Sequence, residues 1–228
     1  MTLLLATRNA HKLAEIRAML GNQFQFLTLN DFPDAPQVIE DSDTFAGNAI
    51  KKAMALADWR GRIRNPESGI QNGFVLADDS GLEVDALDGA PGVHSARFAA
   101  IDPAKSGNTP DADNNTKLLR LLKDVPLGKR TARFRCVLAL TPVGHREPGI
   151  ESMSPVCYAN EFEAQTELFD GVCEGKIAFE TRGQNGFGYD PLFVPDGFAK
   201  TFAELGEDVK NQLSHRAKAL QKLRQHLA

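Results

Sequence analysis

Leu3-Leu4-Leu5-Ala6-Thr7-Arg8-Asn9-Ala10-His11-Lys12-Leu13 changes its periodicity at one point. The run Leu3 to Ala6 is continuously apolar, as a strand buried on both faces must be. From Asn9 onward the pattern is helical: Asn9 is a natural N-cap, and Leu13, Ile16 and Leu20 recur on one face. A strand passing directly into a helix is the building unit of an α/β sheet protein.

Working outward, Asp43 or Thr44 caps a second helix running toward Trp59, with Phe45, Ala49, Ala53 and Leu56 at helical spacing. A polar stretch, Gly61 to Gly73, follows. Phe74 to Ala77 reads as a buried strand ending at Asp78 and Asp79. A turn is expected at Ser80-Gly81, then a further strand from the alternation of Leu82, Val84 and Ala86. Asp113 or Asn114 is expected to cap a helix carrying Leu118, Leu119, Leu121 and Leu122, and Phe134, Cys136, Leu138 and Leu140 alternate as a strand. Residues 142–160 look like a long hairpin connection, with a strand near Glu163 to Phe169 beyond it. The glycine-rich run 182–191 fits no regular element, and a single terminal helix is expected with Val209, Leu213, Leu220 and Leu223 as its stripe. The expected class is mixed α/β, a sheet with flanking helices, in which ligands gather at strand C-termini and helix N-termini.

Composition narrows the function. The 228 residues hold 26 basic and 30 acidic side chains, a net charge of −4. A protein that coats nucleic acid needs the opposite balance, because displacing counterions takes a surplus of Lys and Arg. Cys136, Cys157 and Cys173 are widely spaced with no Cys-x-x-Cys, which indicates neither a disulfide framework nor a zinc ribbon. No apolar stretch approaches the length of a membrane span, and the run at Leu3 is too short for a signal-peptide core. The expectation is a cytoplasmic protein without nucleic-acid or membrane partners.

Charge is unevenly placed. Acids crowd into 31–43 and again into 78–88, with no base in either, whereas the tail from Ser214 carries Arg216, Lys218, Lys222 and Arg224 and no acid. Singly, each segment is explained as a solvated face. Four clusters have the chemistry for more. Thr7-Arg8-Asn9-Ala10-His11-Lys12, at a strand-to-helix turn, offers a hydroxyl, an amide, a lysine and helix N–H groups to phosphate oxygens, although this segment alone favours the simpler reading in which Asn9 merely caps the helix and Lys12 is an exposed base. Glu40, Asp41 and Asp43 precede the second helix and suit capping. Adjacent Asp78 and Asp79 at a buried strand repel one another unless a cation, a donor or a shared proton compensates. A hard divalent ion such as magnesium, held by Glu40 and Asp79 with substrate phosphates and water, meets that need. Finally, Phe187-Gly188-Tyr189-Asp190, with the distant Lys210 and Ser214-His215-Arg216, combines stacking surfaces with donors and acceptors, as a nucleobase site does.

Thr7-x-Asn9-x-x-Lys12, Glu40 with Thr44-Phe45-x-x-Asn48-Ala49, Ala77-Asp78-Asp79-Ser80-Gly81-Leu82, Gly89-Ala90-Pro91-Gly92, Asn185-Gly186-Phe187-Gly188-Tyr189-Asp190-Pro191 and Ser214-His215-Arg216 occur in this order. Together they closely resemble the inosine triphosphate pyrophosphatase family, from about residue 3 to about 225. The resemblance implies an elongated α/β fold, one domain over 1–228 with two lobes around a central cleft, usually a homodimer. It also implies Mg²⁺-dependent cleavage of ITP, dITP or XTP to the monophosphate and pyrophosphate. By position, Thr7, Asn9 and Lys12 correspond to the triphosphate cradle, within the loop Thr7 to Lys12 that includes Arg8, Ala10 and His11. Glu40 and Asp79 correspond to the magnesium ligands, with Asp79 also activating water and Lys12 neutralising the leaving pyrophosphate. Ser80 and Lys210 resemble further nucleotide contacts, and Phe187, Gly188, Tyr189, Asp190, His215 and Arg216 the base-reading residues. Arg8 stands where glycine is usual, so a turn requiring positive φ would be strained there. From the residues alone, two other readings stay open: a phosphatase forming an aspartyl phosphate at Asp78 or Asp79, and a nucleotide sensor without turnover.

Overall fold

A computed structural model of the chain describes residues 1–62, 73–101, 107–143 and 165–227. The opening segment folds as its periodicity demands, with β1 (Thr2–Leu5) leading through Thr7 to Asn9 into α1 (Ala10–Leu20). Asn9 Oδ1 accepts from the N–H groups of His11 (2.9 Å) and Lys12 (3.1 Å), satisfying two of the helix's orphan donors. Asp88 is the only non-glycine described residue at positive φ, so Arg8 occupies its turn without strain.

The described strands form one mixed sheet in the order β2-β1-β3-β4-β5-β6, with β2 Gln25–Thr28, β3 Phe74–Val84, β4 Thr131–Pro142, β5 Glu167–Ile177 and β6 Phe193–Pro195. β1 runs parallel to β2 and to β3, pairing Leu3, Leu4 and Leu5 with Phe74, Val75 and Leu76. β6 runs antiparallel to β5. This register decides the site. It sets the C-terminal end of β1, and the loop entering α1, beside Ala77, Asp78 and Asp79 of β3.

The helices are α2 (Phe45–Gly61), α3 (Asp111–Leu121), α4 (Phe202–Leu205), α5 (Glu207–Leu213) and α6 (His215–His226). Thr44 caps α2, accepting from Gly47 N at 3.0 Å. None of the described helices is long and apolar enough to cross a membrane.

Four expectations are corrected. Ser80-Gly81 makes no turn: β3 continues through it to Val84, where the chain enters a 3₁₀ helix at Asp85–Leu87, so the acidic pair lies in mid-strand and Ala86 outside it. Pairing on the sheet outweighs the local turn preference of Ser-Gly. α3 starts at Asp111, not beyond Asp113, with Pro110 as its N-cap, a place where a residue lacking an N–H removes no helical hydrogen bond. Asn114 instead uses its side chain to accept from Ala99 N (2.8 Å) and Thr109 Oγ1 (2.7 Å). The strand near Glu163 to Phe169 runs on to Ile177 as β5. The terminal helix is two helices, broken at Ser214 (ψ 163°), whose Oγ accepts from Ala217 N and caps α6. The stripe runs through the break at near-helical spacing and so hides it. Most of the polar stretch 61–73, most of the connection 142–160, the beginning of the strand expected from Glu163, and Cys157 lie outside the described residues.

The chain divides into two compact units: Met1–Asp79 with Val137–Phe169, and Ser80–Cys136 with Asp170–Ala228. In the first, Leu3, Leu4, Leu5, Ile16, Ala49, Ala53, Leu56, Val75 and Leu76 are buried from strands and helices alike. The second is built on Leu82, Phe134, Tyr189, Phe193 and Phe202, with the Phe134 and Phe193 rings 4.7 Å apart. Arg130 is fully buried there, its guanidinium donating to the carbonyls of Leu122 (2.6 Å), Val125 (2.9 Å) and Ala178 (2.9 Å).

One close approach in the second unit has a testable consequence. At Gly171 of β5 a Cβ would overlap the His215 carbonyl oxygen and crowd Ala219 N at 2.7 Å. Gly171→Ala is expected to displace the first turn of α6 and to destabilise the protein by about 2–4 kcal/mol, read as a lowered urea midpoint.

Candidate active site

The first unit gathers an acid and lysine cluster around β3. Lys12, from the first turn of α1, forms an ion pair with the Asp78 carboxylate, which is almost wholly buried. Lys52, two turns into α2, lies 3.0 Å from Glu40 Oε1 and donates to the Asp78 carbonyl at 3.2 Å. It therefore ties the segment before α2 to the central strand. Asn48, one turn earlier, holds the approach to α2 by accepting from Ser42 N (2.9 Å) and donating to Ser42 O (3.1 Å).

The two adjacent aspartates differ in kind. Asp78 has an ammonium partner, whereas Asp79, only 7% exposed, carries a buried Oδ2 that accepts no hydrogen bond among the described residues. Burial pushes the Asp79 carboxyl up to about 6. Lys12, Lys52 and a hydrogen bond from Asn48 oppose the rise, and the neighbouring Glu40 charge adds to it. A buried carboxylate oxygen without a partner costs free energy unless a donor or a cation completes it. No group of three or more His, Cys, Asp or Glu able to hold a metal occurs among the described residues. Glu40, paired with Lys52, and Asp79, the two carboxylates singled out in the sequence, would supply two hard oxygen donors. That suits an ion which fills its remaining positions with water and phosphate oxygens, and it does not suit a closed protein cage.

The second unit gathers the aromatic and cationic residues. Asp190 and Lys210 form an ion pair at 2.6 Å with side chains 2% and 4% exposed, and Asp190 Oδ2 also accepts from Phe187 N at 2.8 Å. The Lys210 ammonium lies 4.3 Å and the Arg216 guanidinium 5.9 Å from the Phe187 ring centroid, within cation–π range. Arg216, buried in the first turn of α6, donates to Ser80 Oγ at 2.8 Å. Gly186 is required twice over: its φ is +78°, and a Cβ would overlap the Asp190 carboxylate.

Thr7, Arg8, Asn9, Ala10, His11 and Lys12 form the β1 to α1 turn, where Thr7 Oγ1 accepts from Asn9 N at 3.1 Å and Arg8, Ala10 and His11 are exposed. Tyr189 lies in the core with its hydroxyl donating to Ser95 O at 2.9 Å, and burial holds its phenol above the usual range. His215 is also buried, stacked on Phe134 at 4.8 Å. Both have structural duties that their motif does not announce. Three residues escape a reading of the sequence. Lys52, whose spacing of four from Asn48 was the available signal, belongs to the first cluster. Asp111 and Asn115, four apart on α3, both bond Gly188.

Fold and clusters together define the class: a mixed α/β protein with a carboxylate and lysine cluster on the central strand of its sheet and, in its second unit, an aromatic and cationic cluster. Residues 3–226 match the model of the Ham1 family, and the chain belongs to that family. It is 45% identical over 223 residues to the dITP/XTP pyrophosphatase of Desulforamulus reducens, covering 97% of this chain and 93% of that protein. It is 44% identical over 227 residues to the dITP/XTP pyrophosphatase of Geobacter sulfurreducens, covering 99% and 96%. Among solved structures it resembles a HAM1 protein from Coxiella burnetii with a TM-score of 0.75 and 36% identity, over 100% of this chain and 98% of that one.

Proposed function

We propose that this protein is a nucleoside triphosphate pyrophosphatase that hydrolyses ITP, dITP and XTP to the monophosphate and pyrophosphate with Mg²⁺, residues 1–228 serving as one catalytic domain. The carrying observation is the buried Asp79 carboxylate, its Oδ2 without a hydrogen-bond partner among the described residues and its pKa raised by burial to about 6, beside Glu40 and two lysines. The names of the D. reducens and G. sulfurreducens relatives support the substrate class. As in the family resemblance, the protein is proposed to work as a cytoplasmic homodimer without nucleic-acid or membrane partners.

Glu40 and Asp79 would hold the magnesium ion, which when bound supplies positive charge to the phosphates and to the departing pyrophosphate. The chain's own groups do the rest. Asp79 orients the attacking water and accepts its proton. Lys12, fixed by Asp78, presents its ammonium to the charge that builds on the leaving group. Asn9 spends only Oδ1 on capping α1, which leaves its amide nitrogen to donate to phosphate oxygens beside the Thr7 hydroxyl. In the second unit Phe187 offers a stacking ring, Asp190, Lys210 and His215 support it, and Gly188 and Tyr189 shape the loop. Arg216, with Ser80 at its side, donates to a 6-oxo group. The 6-amino group of ATP would set donor against donor, a mismatch worth about 10⁴-fold in selectivity.

The test is incubation with ITP, dITP, XTP, ATP and GTP, with and without chelator, followed by separation of products. Pyrophosphate and monophosphate from ITP, dITP and XTP, lost with chelator, is the expected result. Orthophosphate without pyrophosphate would point to an aspartyl-phosphate enzyme, and saturable binding with unchanged nucleotide to a sensor.

A further inference from the structure

Gly188 is held from outside its own loop by both of its backbone polar groups. Asp111 Oδ2 accepts its N–H at 2.6 Å, and Asn115 Nδ2 donates to its carbonyl at 3.0 Å. Asp111 and Asn115 lie one turn apart on one face of α3. The orientation of the Asn115 amide is fixed by that contact, since only its nitrogen can donate. Its Oδ1 is thereby left buried with no hydrogen-bond partner among the described residues, an arrangement that costs stability. A residue selected for scaffold stability alone would not strand an oxygen in this way. Two neighbouring N–H groups of the loop are thus occupied by carboxylates, Phe187 by Asp190 and Gly188 by Asp111. Gly188 itself sits at φ +63°, with open space where a Cβ would stand, so its glycine serves conformation rather than clearance.

We infer that Asp111 and Asn115 of α3 are positioning residues for base recognition, gripping Gly188 so that the adjacent Phe187 ring is presented to the purine in one orientation. The inference rests on the reading that the 186–190 loop takes the base. Both residues bond the loop proposed to take the base, so the grip acts on base affinity and leaves the chemical step alone.

The experiment compares Asp111→Ala, Asp111→Asn, Asn115→Asp and Phe187→Ala by steady-state kinetics with ITP, by competitive inhibition with tripolyphosphate as a probe without a base, and by Tm. Asp111→Ala and Asn115→Asp are expected to raise KM for ITP about tenfold with kcat within about threefold and tripolyphosphate inhibition unchanged. Asp111→Asn, which keeps an oxygen acceptor for the Gly188 N–H, is expected to restore most of the affinity. Should Asn115→Asp fail to fold, the exposed Asp111 pair decides the matter. A lowered Tm with KM unchanged in the Asp111 variants would overturn the inference and leave base recognition intact, provided Phe187→Ala raises KM. An unchanged KM in Phe187→Ala would overturn both.

Discussion

Asp79→Asn is expected to lower kcat by at least 10³-fold, in the range of about 10²–10⁴ typical for loss of a general base and deepened by loss of a metal ligand. The same substitution is expected to stabilise the protein in the absence of divalent ions. In the unfolded chain the carboxyl titrates at its ordinary value of 3.8, whereas in the folded chain burial holds it near 6. Between these values the folded state binds the proton and the unfolded state does not, so stability falls as pH rises through the window. Above about pH 6 the penalty is complete, at about 3 kcal/mol for a shift of this size, and below 3.8 it vanishes. The amide brings donors of its own that need partners, so the gain is expected to be smaller, about 5 °C in Tm at pH 8 and fading by pH 4–5. Saturating Mg²⁺ should reverse the order, stabilising the native chain and not the variant. Paired thermal scans at the two pH values, with and without Mg²⁺, check it. Near-normal turnover would remove Asp79 from the chemistry, and a Tm difference indifferent to pH would remove burial as the cause of its raised pKa.

Asp190→Ala is expected to act differently, lowering stability and weakening the binding of ITP. Its carboxylate neutralises a lysine that is itself nearly inaccessible, and it accepts the Phe187 N–H through the same oxygen. Removing one member of a buried pair leaves the other charge uncompensated, which costs about 3–5 kcal/mol. For a chain of this length that is a fall in Tm of about 10 °C. The freed Phe187 N–H also releases the loop, so KM for ITP should rise as well. Adding Lys210→Met removes the stranded charge and should recover stability without recovering KM, because the loop remains untied. Urea midpoints and ITP kinetics on the single and double variants separate the two effects. If the double variant were no more stable than the single one, the stranded lysine would not be the source of the loss.

The two clusters differ in how far the sequence discloses them. Thr7 to Lys12 was legible because a strand, a cap and a helix are determined by neighbours in the chain, and Asn9 caps α1 as its position predicts. Asp79 was legible as a residue but not as a state: nothing in Asp78-Asp79 says which carboxylate receives Lys12 and which keeps a buried oxygen with no partner among the described residues. Lys52 was legible only as a position four residues from Asn48, because its partners, Glu40 and the Asp78 carbonyl, come from twelve residues before it and twenty-six after. The errors share a cause. Ser80-Gly81 looks like a turn and Val209 to Leu223 like one helix when only local preference is weighed. The sheet holds the first straight, and the Ser214 cap breaks the second.

The amino-acid sequence by itself determined the mixed α/β class, the order of its main elements, the acidic residues, the glycine-rich loop and the family, since periodicity, capping and motif order are properties of the linear chain. Only the tertiary structure decided which charges meet: Lys12 with Asp78, Lys52 with Glu40, Lys210 with Asp190, and α3 with Gly188. Those pairings depend on strand register and helix packing across long separations, and the pKa of Asp79 depends on how much water the packing excludes.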